Sequence, residues 1–112
     1  TFTVSGITNY IENNNRIVDV ISGTYDLNHI NASDWKLTIS GATTLTETNL
    51  PTGTSTLEFT LKLSGDFTLT FPTYWDVIGD NYDGSVWNFL AIQVHNGDVG
   101  FEEVTAFLTN LG

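Results

Sequence analysis

The chain contains no cysteine and no methionine. Without thiols it forms no disulfide, zinc–thiolate centre or iron–sulfur cluster, and it has no thiol nucleophile. Basic residues are nearly missing as well. Three Lys and Arg stand against 13 Asp and Glu, a net charge of −10. A field of that sign repels phosphate, so neither nucleic acid nor an anionic membrane surface is an expected partner. Charged residues of both signs make up only 14% of the chain, where about a quarter is usual. Threonine and asparagine take their place, and the predicted surface is neutral and polar. No apolar run reaches the roughly 20 residues of a membrane-spanning helix, and no signal-peptide pattern is present. The chain starts at Thr1. A trimmed initiator methionine, or a cleaved leader or domain, would leave the same start.

What is present points to a folded β protein. Hydrophobic residues are 40% and aromatic residues 12% of the 112 positions. That content separates the chain from disordered acidic segments. The length fits one domain over residues 1–112. Apolar residues alternate with period two almost throughout. Phe2 and Val4 alternate with Thr1, Thr3 and Ser5. Trp35, Leu37 and Ile39 alternate with Lys36 and Thr38. Leu57, Phe59, Leu61 and Leu63 alternate with Glu58, Thr60, Lys62 and Ser64, and Phe67, Leu69 and Phe71 follow in the same phase. This pattern buries one face of a strand and wets the other. Turn signals at residues 12–15, 64–66 and 96–98 divide the strands, the first of them within a predicted hairpin. Residues 101–111 fit a helical face and a strand; the β surroundings, with Thr105 and Thr109, favour the strand. A short helical turn is expected within residues 26–33. The predicted architecture is all-β: an antiparallel β-sandwich or jelly roll of about eight strands.

One segment breaks the regularity. Residues 72–88, PTYWDVIGDNYDGSVWN, join two good strands with four large aromatics, three aspartates and no basic residue. Such a connection is either a contact surface or an irregular plug over a core. Asp76, Asp80 and Asp83 are candidate calcium ligands, because hard cations take oxygen donors near sharp turns. The segment lacks the EF-hand spacing, however, and Asx side chains beside Gly84 also serve as plain turn formers. Alternation points Trp35 and Trp87 into the core. It leaves Tyr74, Trp75 and Tyr82 as the candidate interface or ligand patch, able to stack on sugar rings or on a neighbouring subunit. Catalysis is not expected. Glu102 and Glu103 are adjacent, so in a strand they face opposite ways. His29 and His95 are isolated, and the chain has neither a phosphate-binding glycine loop nor a dinucleotide fingerprint. No cofactor is predicted beyond the calcium option.

Over residues 69–94 the sequence LTFPTYWDVIGDNYDGSVWNFLAIQV resembles the small β domains of tailed-bacteriophage virion proteins. The likeness lies in an apolar strand, then Pro72-x-Tyr74-Trp75, then Tyr82-Asp83-Gly84, then Asn88 opening an alternating strand. Glu102-Glu103-Val104 at the start of the last strand fits the same pattern. The N-terminal half has no counterpart. The resemblance implies a structural role in a capsid, tail or fibre, located in a virion or other extracellular assembly. Its partners would be copies of the chain and other virion proteins. Two alternatives accompany it. One is a carbohydrate-binding module built on Tyr74 and Trp75, with a glycan as partner. The other is a filament subunit in which Thr1, Phe2, Thr3, Val4 and Ser5 complete a neighbour's sheet.

Overall fold

In the computed structural model, residues 15–53 and 56–112 are described. The strand expected over Thr1–Ser5 and the hairpin turn at residues 12–14 lie outside them. The described residues are all-β. They form β1 (Arg16–Asn28), β2 (Asp34–Thr48), β3 (Leu57–Ser64), β4 (Leu69–Thr70), β5 (Trp75–Gly79), β6 (Asn88–Asn96) and β7 (Glu103–Asn110). Their number is consistent with a sandwich of about eight strands. Residues 103–110 are a strand, as the alternation favoured. Residues 26–28 end β1, and a turn closed by the Asn31 amide donating to the Asn28 carbonyl replaces the expected helical turn.

Pairing is mixed rather than antiparallel throughout. The sheet order is β1-β2-β3-β6-β7-β5, and β4 pairs with β2. β1 and β2 are parallel along their whole length, from Arg16 beside Asp34 to Asn28 beside Thr48. That register forces a bend. Twelve straight strand steps would carry Asn28 roughly 40 Å from Arg16, while the six steps to Asp34 reach back only about 23 Å. Each strand therefore turns over on itself, and the register shift between Ile21 and Gly23 marks where. The Ser40 hydroxyl donates to the Ile21 carbonyl at this corner, over 3.0 Å. The first half of β2 pairs with β3 and its second half with β4. Residues 16–28, 34–48 and 57–70 thus make three successive turns of a flattened coil, with the core between its two sides.

The coil explains a pairing that alternation cannot reveal. Alternation fixes which side chains point inward, but it is the same for parallel and antiparallel neighbours. β3–β6 and β6–β7 are antiparallel, while β5 runs parallel to β7 at the far edge. The predicted inward residues of β2 and β3 do form the core: Trp35, Leu37, Ile39, Phe59, Leu61 and Leu63 are buried, joined by Leu90, Ile92, Val94, Val104, Ala106 and Leu108. The strand predicted across residues 67–71 shrinks to Leu69–Thr70, and Phe67 is exposed.

Candidate functional site

Residues 72–88 fold inward. Trp75 opens the short strand β5, hidden inside what reads as a loop, and only 7% of it is exposed. Its indole Nε1–H donates to Glu47 Oε1 at 2.6 Å, and the Tyr74 hydroxyl donates to the same oxygen at 2.6 Å. His29 Nε2 lies 2.8 Å from the other oxygen, Oε2. Side-chain exposure is 0% for Glu47 and 2% for His29. Three donors thus converge on one enclosed carboxyl group. The His29 ring packs against Phe59 (centroids 4.5 Å apart) and edge-on to Trp35 (5.5 Å), and Nδ1 has no hydrogen-bond partner among the described residues. Phe71 stacks on Trp75 at 5.6 Å. Burial, and then the bond to Glu47, pushes the Tyr74 hydroxyl pKa far above its ordinary value.

The expected patch of Tyr74, Trp75 and Tyr82 is therefore corrected at Trp75, while both tyrosines stay partly exposed. Trp75 belongs to the core, Tyr74 is half-buried with its hydroxyl turned to Glu47, and the Tyr82 hydroxyl donates to the Gly65 carbonyl at 2.7 Å. Trp75 escaped the reading because it opens a five-residue strand inside what reads as a connection, and only this first residue of β5 is buried. Glu47 gave no signal either. It sits among threonines at the end of β2, and only the coil brings it under β5.

The aspartates are likewise engaged one by one. Asp80 accepts the Asn110 amide at 2.9 Å, and Asp83 accepts the Ser85 amide at 3.0 Å and its hydroxyl at 2.6 Å. The two bonds from Ser85 hold the Asp83 carboxyl below the usual carboxylate range. Asp76 projects from β5, exposed. Among the described residues no three His, Cys, Asp or Glu side chains come together as a metal site. Asn88, fully buried, ties down the end of the segment. Its amide nitrogen lies within hydrogen-bond reach of the carbonyls of Leu63, Asp83 and Val86, and its oxygen accepts from the Asp83 amide and from Asn110 Nδ2. The segment is a plug, pinned by polar bonds over one end of the core.

Tyr82 yields a pH prediction. Burial, with Asp66 and Asp83 nearby, pushes its pKa up to about 12. The folded state thus holds the phenolic proton more tightly than the unfolded chain, whose tyrosines titrate near about 10. The resulting stabilisation is complete below about pH 10 and is lost as pH rises through about 12. Denaturant midpoints measured from pH 9 to pH 12 should fall, and Tyr82→Phe should flatten that fall. An unchanged alkaline slope in Tyr82→Phe would contradict the buried hydroxyl.

Exposed large apolar side chains lie outside the strands, at Ile30, Phe67, Val99, Phe101 and Leu111, and on the outer face of the wide sheet. Strand register aligns Val18, Lys36, Lys62, Phe89 and Thr109 in one cross-strand row, and Arg16, Asp34, Thr60, Ala91, Phe107 and Ile78 in the next. Val18 is 68% and Val20 65% exposed, and Phe89, Phe107 and Ile78 are exposed too. Trp87, expected in the core, stands just before β6 on this side and is half-buried. The Lys36 and Lys62 ammonium groups lie 5.0 and 5.7 Å from its ring centroid, within cation–π range. Arg16 pairs with Asp34 on the same face. No protein family, characterised protein or solved structure matches this chain.

Proposed function

We propose that this chain is a non-enzymatic structural subunit of a virion, working through contacts between β domains. The observation that carries the reading is the outer face of the wide sheet. Five exposed aliphatic and aromatic side chains on a chain this acidic are costly in water and useful in a contact. Isolated apolar residues are ordinary on protein surfaces, but four of these, Val18, Phe89, Phe107 and Ile78, share two adjacent cross-strand rows. The resemblance of residues 69–94 to bacteriophage virion β domains supports the same role. So does the way the aromatic plug is used: its rings and acids hold the fold together. The carbohydrate alternative relied on Tyr74 and Trp75 as a stacking platform, and the Trp75 ring is turned inward.

Mass measurement by light scattering at micromolar concentration tests the proposal. The expected mass is a small multiple of the 12.3 kDa chain. A monomer that no virion protein recruits would refute it.

A further inference from the structure

The basic residues of the molecule are gathered on one side, where Asp34, paired with Arg16, and Glu58 share the face with them. All three basic residues of the chain, Arg16, Lys36 and Lys62, lie on the strands β1, β2 and β3 at one side of the wide sheet. All three share its outer face. At the opposite edge, β5 carries Asp76, with Asp80 just beyond it and Glu102 and Glu103 at the start of β7 alongside. Both regions are also apolar. Val18, Val20 and Phe89 surround the lysines, and Val77 and Ile78 follow Asp76.

We infer that a second copy of this chain docks its β5 edge, Asp76 to Ile78, on the Lys36–Lys62 face of the first. The inference rests on the structural-subunit reading and names its contact. A chain with net charge −10 repels its own copies over most of its surface. The repulsion is relieved where one copy presents cations, and Lys36 and Lys62 on this face have no carboxylate partner among the described residues, whereas Arg16 is paired with Asp34. The partner patch must then be acidic and apolar, which matches β5. Opposite charge at the rim sets register and rate, while the buried valines, isoleucine and phenylalanine supply the cohesion. A contact between two different patches is heterologous. Repeated, it closes a ring or extends a fibre, and either suits a virion component.

Sedimentation velocity on wild-type chain, K36E/K62E, D76K and the combined K36E/K62E/D76K tests this. Circular dichroism first confirms that each variant is folded, and K36R/K62R serves as the charge-preserving control. Wild type and the control should associate. K36E/K62E and D76K should each raise the dissociation constant at least tenfold. The combined variant should recover association, because its reversed charges face each other again. A wild type that associates while K36E/K62E and D76K associate equally well overturns this contact and leaves the subunit reading standing. A wild type that is monomeric at every concentration overturns this contact, and if in addition no virion protein recruits it, the subunit reading falls as well.

Discussion

Replacing Glu47 with alanine should destabilise the protein by about 3–5 kcal/mol, the usual cost of removing one partner from a buried polar or ionic cluster. Three donors lose their acceptor at once: the Tyr74 hydroxyl, the Trp75 indole N–H and His29 Nε2. His29 and the Trp75 indole are held among Trp35, Phe59 and Trp75 and cannot turn to water, while the half-buried Tyr74 is the donor nearest solvent. A void is left as well, at the place where β2, the turn after β1 and β5 meet. A domain of this size has total stability of about 5–15 kcal/mol, so the variant should sit near its unfolding threshold at 37 °C. Glu47→Gln should cost far less, about 1 kcal/mol, because its carbonyl oxygen still accepts from Tyr74 and Trp75. Urea denaturation of the two variants separates these outcomes. Equal losses would mean that the carboxyl group matters for its charge and not for its bonds. A negligible loss in Glu47→Ala would remove the cluster as the link between plug and coil.

The second large effect is expected at Gly65. This residue has φ of 125°, in the region that favours glycine, and it passes directly over β2. A Cβ there would lie 2.1 Å from the Ile39 carbonyl oxygen and 2.8 Å from the Ile39 Cβ. The obstacle is backbone in a packed sheet, so it cannot swing aside. The Gly65 amide also donates to the Gly84 carbonyl at 3.0 Å, and the Gly65 carbonyl accepts from Tyr82. Gly65→Ala should therefore cost roughly 3 kcal/mol or more, combining backbone strain with overpacking. Gly23 offers the comparison. Its φ is 72°, but an added Cβ would meet nothing within 4 Å. Gly23→Ala should cost only about 1 kcal/mol, the backbone term alone. Thermal unfolding of the pair isolates the steric part. Equal losses would contradict the close passage of the 65–66 turn over Ile39.

These two positions show how far the sequence could be read. Period-two alternation correctly placed Trp35, Leu37, Ile39, Phe59, Leu61 and Leu63 inside, because each strand buries a single face. The same alternation carries no information about chain direction, so the coiled, parallel course of β1, β2 and β3 was invisible. Gly65 reads as ordinary turn punctuation within residues 64–66, whereas it is where one turn of the coil passes over another. The plug failed differently. Trp75 and Tyr74 lie in a polar, acidic segment, and their inward orientation depends on Glu47, 27 and 28 residues away in sequence. Trp87 failed in the opposite sense: it precedes β6 on the outward side, where the lysines of β2 and β3 cover its ring.

With Trp75 turned inward, the sheet-borne surface for association among the described residues is the outer face, where exposed valines and phenylalanines lie beside Lys36 and Lys62. This is the physical content of the structural-subunit proposal. It needs no ligand and no reaction, only copies of the chain at sufficient concentration. Sedimentation equilibrium of the wild-type chain, run from nanomolar to tens of micromolar, is its most direct test. The expected result is a reversible rise from 12.3 kDa to one defined multiple of that mass, or to an open series of multiples if the contact does not close. A mass fixed at that of the single chain across the whole range, with no recruitment by other virion proteins, would contradict it.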